Sequence, residues 1–409
     1  MIPRKPLPRK WRLFNRTVLL ILVLAGLVEC VRCSLRPQEG ETPRENAAEN
    51  NASPLPEREF SDSASLRLEG SIRMKIDLGH VYAQRDTGLA HLMDTFLRRY
   101  RPQDALYLAV NPKTNEIVAW GERKENAVQS EPDYLSRATF PAASLAKTVT
   151  IAAAFESGRY STHSEIPMIG RAHTLYRNQL KVPENYRGPV VPVHEAFAKS
   201  YNPPIALIGM NVGAKRLKSA AKNLGFNRNF PHGIPERSVY NPPDSGYALA
   251  ETASGFTQDV TLSPLQAAAM VRAILKKRPL EIPWEKNGAR GYAPAGPILL
   301  GADSFSASTY RELRESMLST VKAGTARKQI SAKNISRKIL PDLEIGGKTG
   351  SLDGENPKGR YDWFMGFAQS KSNPDKAIVL VVMQVHGKLR TQTSTQIAAL
   401  LINYWAKEK

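Results

Sequence analysis

The sequence predicts an α+β protein: one five-stranded, mainly antiparallel sheet covered by terminal helices, with an all-helical lobe inserted into it. Three observations carry this reading. Two strand-like runs flank a turn near the start of the body, and three more appear only after residue 343. Between them, from about residue 150 to 340, the pattern is helical with proline-rich breaks.

Residues 1–16 carry Arg4, Lys5, Arg9, Lys10, Arg12 and Arg16 and no acid, and are expected to lie in the cytoplasm. The run from Val18 to Val28 is uninterruptedly apolar. Counted from Leu13 to Val31, it approaches the ~20 residues of a bilayer span if Arg16 and Glu29 snorkel. No small-x-small cleavage site follows, so residues 17–33 read as a membrane anchor in preference to a removed signal segment. The expectation is a single-pass inner-membrane protein whose body lies on the periplasmic side. Cys30 and Cys33, the only cysteines, sit beside this segment. They read as incidental thiols or a local disulfide in preference to half a metal site. Glu29 stands where lipid attachment at Cys30 would want a small residue.

Residues 34–65, rich in Pro, Glu, Asn and Ser, are expected to form a flexible linker. The folded body is expected over 66–409. Its first element is a helix from Leu89 to Tyr100, with Leu89, Leu92, Met93, Phe96 and Leu97 on one face. Strands from Ala105 to Val110 and from Glu116 to Trp120 flank the turn Asn111–Asn115. A helix is expected to open at Ser144 and run to about Glu156, where Gly158 stops it. Late strands are expected at Ile345–Ser351, Trp363–Gln369 and Ala377–Met383, followed by a helix from Ser394 to Trp405.

Apolar content of 42% and charged content of 23% are those of a globular chain, but the net charge is +19. Most of that excess lies in the body, which favours polyanions or anionic surfaces. Nucleic acid is one such partner. An anionic wall polymer or lipid headgroup layer suits the exported topology better.

Three strings in one order carry the chemistry: Ser144-Leu-Ala-Lys147, Ser200-Tyr-Asn202 and Lys348-Thr-Gly350. Ser144 and Lys147, three apart on a helix, share a face, so a neutral Lys147 amine can take the Ser144 proton. Free lysine titrates near ~10.4, so service at neutral pH needs a lowering of about 3 pH units, ~4 kcal/mol, from burial and a second cation. Lys348 is the natural second cation. A lone S-x-x-K says little, since Ser219 and Lys222 repeat it and read as exposed helix residues.

Asn202 precedes Pro203 and reads as a helix N-cap that also hydrogen-bonds a substrate amide and orients Lys147. Ser200 would relay a proton to the leaving amine. His194 and Glu195 read as ordinary helix residues leading to Ser200. Around Lys348 the sequence superficially resembles a phosphate loop, but the required first glycine is Asp342. As an edge strand it makes other sense: Lys348 and Thr349 attract a carboxylate, and Gly350 lets substrate backbone approach. The N–H groups of Ser144 and Ser351 can form an oxyanion hole, typically worth about 10²–10³-fold per donor.

The ordered triplet resembles that of the penicillin-binding proteins and serine β-lactamases. Flanking segments are similar too: Asn111–Ala119, Leu262–Ala267, Gly324–Ala326 and Asp362–Ala368. The resemblance implies the penicillin-binding transpeptidase/β-lactamase-like fold. It also implies peptidoglycan stem peptides ending in D-Ala-D-Ala as substrate and β-lactams as inhibitors. Ser144 would attack the penultimate carbonyl, expel D-alanine and pass the acyl group to an amine. The implied reaction calls for no cofactor or metal, and no nucleic acid partner is expected.

A D,D-carboxypeptidase, with water as acceptor, is the alternative. A β-lactamase fits less well, because no E-x-x-L-N lies between the second and third strings and Asn202 stands where one class prefers valine. A non-catalytic β-lactam sensor is also less favoured. Only a short tether precedes the body, so strands are expected to come from a separate glycosyltransferase. Tyr201, unusual in the second string, is expected to alter donor access.

Overall fold

The computed structural model describes residues 86–125, 133–230, 235–284, 298–299, 304–388 and 390–408. The basic segment 1–16, the apolar segment 17–33 with its two cysteines, the linker 34–65 and the expected start at 66 lie outside these residues. Among the described residues no helix is long and apolar enough to cross a membrane.

Helix α1 (Thr87–Tyr100) starts where the Asp86 side chain accepts the Leu89 N–H, and it buries Leu89, Met93, Phe96 and Leu97. Strands β1 (Asp104–Asn111) and β2 (Glu116–Arg123) form the first hairpin. Strands β7 (Leu343–Glu355), β8 (Lys358–Ser370) and β9 (Ala377–His386) complete one antiparallel sheet of order β2-β1-β9-β8-β7. The predicted five-stranded sheet is therefore present, with β7 at its edge. Strands β7 and β8 extend further than the apolar pattern suggests. Leu352–Glu355 lack strand-like patterning, but continuous pairing with Lys358–Tyr361 holds them extended.

Side chains alternate across the sheet, so each strand feeds two cores. Leu106, Leu108, Trp363, Met365, Val379 and Val381 pack against the lobe. Tyr107, Ala109, Phe364, Ile378, Leu380 and Val382 pack against α1 and the closing helix α8 (Ser394–Lys407). Burial on both faces explains why the late strands read as near-continuous apolar runs.

The lobe contains α2 (Lys147–Glu156), α3 (Val193–Ala198), α4 (Asn202–Asn223), α5 (Gly246–Ser254), α6 (Pro264–Lys276) and α7 (Ala307–Lys322). Helix α6 is buried nearly all round, beginning at a Ser263 cap followed by Pro264. The expectation of an all-helical lobe over about 150–340 needs correction. Short strands β3 (Glu165–Pro167) and β4 (Val190–Pro192) pair, as do β5 (Glu281–Ile282) and β6 (Ile298–Leu299). Residues 323–339 are turns. Prolines at 167, 189 and 192 exclude a helix interior there.

Candidate active site

The three strings, widely separated in sequence, converge between the edge strand β7 and the lobe. They line a cleft of about 590 Å³ that contains Ser144, Ser200, Asn202, Thr349, Gly350 and Ser351.

Ser144 lies in a 3-10 turn, Ala143–Ala146, and α2 proper begins only at Lys147. The expected helix start at Ser144 is thus one turn early. In a 3-10 turn residues three apart eclipse, so Ser144 and Lys147 still align. Ala143 has φ 49°, a conformation uncommon for a residue with a Cβ. Gly255, with φ 62°, packs so closely on this turn that an added Cβ would strike the Ala143 carbonyl.

Lys147 is fully buried, and its Nζ donates to Ser144 Oγ at 2.8 Å, Asn202 Oδ1 at 2.8 Å and the Ser254 carbonyl at 2.6 Å. All three partners are neutral. Burial, reinforced by the nearby charge of Lys348, holds the Lys147 amine well below the ordinary lysine range. Lys348 is also fully buried, and burial lowers it to about 7. Its Nζ donates to Ser200 Oγ at 3.0 Å and the Thr349 carbonyl at 2.9 Å, and lies 5.3 Å from the Phe197 ring centroid.

Ser200 is held by the end of α3. Its N–H donates to Phe197 O, and the Tyr201 N–H donates to Ala196 O, the paired bonds of a Schellman ending. Ser200 occupies the left-handed position of that motif, φ 60°, where glycine is usual. A serine there costs about 1 kcal/mol or more, yet its hydroxyl meets Lys348.

Asn202 is not the N-cap that sequence suggests. Tyr201 takes that position and Asn202 is the first helical residue of α4. The Asn202 side chain is thereby free of capping: its Oδ1 accepts from Lys147 and its Nδ2 donates to the His173 carbonyl at 3.1 Å. Tyr201 packs against the His173 ring, 5.8 Å between centroids, and it is His173 that lines the cleft.

Thr349 is half-buried, and its hydroxyl pairs with that of Thr325. The Thr325 N–H donates to Ala198 O at 3.0 Å, so the turn after α7 ties β7 to the Ser200 loop. An added Cβ on Gly350 would sit 3.3 Å from Ala142 O and Leu145 Cγ. Its lack of a side chain therefore lets the strand approach the Ser144 turn. Ser351 accepts from Arg360 Nε at 2.9 Å and lies opposite Asp362 in the β7–β8 register. Burial pushes the Asp362 carboxyl up, but His386, the Ser394 N–H and Arg390 outweigh it and hold the group below its usual range.

Other expectations resolve simply. Ser219 and Lys222 are exposed on α4. His194 Nδ1 lies 2.8 Å from Thr162 O, and Glu195 pairs with Lys199 one turn along, both within ordinary helix packing. The Ser254 carbonyl, His173, Phe256, Thr325, Arg360, Asp362 and Arg390 were not foreseen as site residues. Gly324–Ala326 and the strand from Asp362 were visible as segments resembling a known family. No signal marks His173 or Arg390.

The penicillin-binding protein transpeptidase domain family model matches residues 105–403. The peptidoglycan D,D-transpeptidase PbpA of Mycobacterium tuberculosis is 27% identical over 297 residues, covering 66% of this chain and 55% of that protein. PbpA of Mycolicibacterium smegmatis is 25% identical over 313 residues, covering 72% and 60%. This chain thus spans a little over half the length of these relatives. The solved penicillin-binding protein A of M. tuberculosis in an imipenem acyl-enzyme complex shares the fold, with TM-score 0.55 and 22% identity over 77% of each chain. With the match spanning both the sheet and the lobe, the chain belongs to the penicillin-binding protein transpeptidase domain family.

Proposed function

We propose that this chain is a peptidoglycan D,D-transpeptidase that forms a Ser144 acyl-enzyme with stem peptides ending in D-Ala-D-Ala and is acylated by β-lactams. The observation that carries the reading is the buried Lys147 amine 2.8 Å from Ser144 Oγ, with Lys348 close enough to disfavour its protonation. Burial lowers both lysines, and the charge of Lys348 further disfavours a proton on Lys147, which suits Lys147 to the role of base.

In this reading Lys147 takes the Ser144 proton as Oγ attacks the penultimate carbonyl. The N–H groups of Ser144 and Ser351 receive the developing oxyanion. Asn202 Nδ2 and Oδ1 fix the substrate amide and Lys147. Lys348, Thr349 and the neighbouring Thr325 hydroxyl hold the terminal carboxylate, while Gly350 keeps β7 close to the nucleophile. Ser200 passes a proton to the departing D-alanine amine. An acceptor amine then takes the acyl group and frees Ser144. The two mycobacterial relatives carry the name of this activity, and one was captured as an imipenem acyl-enzyme.

The N-terminal basic and apolar segments support a single-pass anchor in the inner membrane, with the body in the periplasm. The testing experiment incubates the purified chain with a D-Ala-D-Ala pentapeptide, with and without an acceptor amine. A transpeptidase yields the cross-linked product when acceptor is present. Release of D-alanine with no transfer would make it the carboxypeptidase. Labelled penicillin should acylate the wild type stably and Ser144→Ala not at all, whereas rapid penicillin turnover would make the chain a β-lactamase.

A further inference from the structure

The cleft has a charged end that the proposed chemistry leaves unused. If the terminal carboxylate sits at Thr349 and the scissile carbonyl at the Ser351 N–H, the acyl arm of the donor must run on past Ser351. There the walls are Asp353, Arg360, Asp362 and Arg390. Asp353 and Arg360 also line an adjoining cavity of about 900 Å³, so a long arm has a route out of the cleft.

The two guanidinium groups at this end differ in how they are held. Arg360 pairs with Asp353 at 3.2 Å, and the Asp353 side chain is 75% exposed. Such a pair is weak in water and exchanges readily for a ligand carboxylate. Arg390 Nη2 donates to Asp362 Oδ2 at 3.0 Å, and the Asp362 side chain is only 7% exposed. That carboxylate also accepts the Ser394 N–H at 3.1 Å, while the Ser394 hydroxyl donates to the Asp362 carbonyl. The Asp362 carboxylate is thus largely buried and taken up by its own partners. Arg390, by contrast, is half exposed at the cleft wall, and a guanidinium offers five N–H donors in a planar fork. A buried acid that fixes an accessible guanidinium leaves a positioned cation for an incoming anion.

We infer that Arg390, held by the buried Asp362 and aided by Arg360, is a specificity residue that receives a carboxylate on the donor peptide's acyl arm, upstream of the D-Ala-D-Ala end. This rests on the D,D-peptidase reading of the cleft. The ligand class is a carboxylate-bearing peptide side chain, distinct from the terminal carboxylate at Thr349.

The test uses the full chain and two acetylated tetrapeptides, Ala-Glu-D-Ala-D-Ala and Ala-Gln-D-Ala-D-Ala, which differ only in acid against amide. D-alanine release is compared as a kcat/KM ratio. Wild type should favour the acid by roughly tenfold, the value of a charge-assisted hydrogen bond. Arg390→Ala should bring the ratio near one, Arg390→Glu below one, and Arg390→Lys should keep part of the preference. Penicillin labelling and a thermal melt report whether each variant is folded. A wild-type ratio near one, or a preference unchanged in the Ala and Glu variants, overturns the subsite, as does penicillin labelling with neither peptide turned over. A wild type that takes neither penicillin nor any peptide overturns the reading of the cleft itself, and the subsite with it.

Discussion

Lys348 Nζ donates to the Ser200 hydroxyl at 3.0 Å, joining the sheet's edge strand to a loop of the lobe 148 residues earlier. The contact closes the cleft from one side and puts a second amine near Lys147. Much of the expected behaviour of the site follows from that placement.

Replacing Lys348 by alanine removes a positive charge that helps keep Lys147 neutral. The Lys147 amine then titrates higher, so the acid limb of the penicillin acylation rate moves to higher pH. Stopped-flow acylation between about pH 5 and 10 reads this directly. A limb that stays put or moves lower would mean that Lys147 is not the base.

The same lysine should make stability depend on pH. Its folded-state pKa is lowered to about 7 from 10.5, so between those values the unfolded chain binds a proton that the native state lacks. Stability contributed by this group therefore rises with pH through that window, by up to about 1.4 kcal/mol per pH unit, and is lost again as pH falls toward 7. Urea denaturation at several pH values, wild type against Lys348→Met, should show the variant with the smaller slope. Equal slopes would place Lys348 in solvent.

Gly255→Ala tests the frame behind the nucleophile. The position has φ 62°, and a Cβ would meet the Ala143 carbonyl. A left-handed alanine together with that clash should cost roughly 1–3 kcal/mol. Because Ser254 supplies a carbonyl to Lys147, acylation should also slow in the molecules that remain folded. A variant of unchanged melting temperature and acylation rate would refute this account of the turn.

Thr325→Val removes the hydroxyl that pairs with Thr349 while keeping the shape of the side chain. The expected effect is a rise in KM of roughly five- to tenfold for peptides with a free terminal carboxylate, the value of one hydrogen bond. Peptides amidated at that end should show a much smaller change. Equal losses for both peptide types would remove Thr325 from the carboxylate site.

The fold was legible in the sequence because its signals are local. Residues three or four apart mark α1, and a turn between two apolar runs marks the β1–β2 hairpin. The double burial of the sheet writes itself into β9 as an apolar run. The strings around Ser144, Ser200 and Lys348 were legible for the same reason, since residue type and spacing within each are properties of a few adjacent positions.

What the chain alone determined is the set of reactive groups and the order of the elements that carry them. Tertiary structure decided how those groups behave. Lys147 lies well below the ordinary lysine range because burial strips it of water and the charge of Lys348 lies nearby, while its partners, from positions 144, 202 and 254, are all neutral. Asn202 can serve Lys147 because Tyr201 takes the helix cap. Arg390 faces the cleft because Asp362, on β8, is buried beside it. Desolvation and charge coupling depend on which atoms lie within a few ångströms, and chain packing sets those neighbours across separations that no local pattern records.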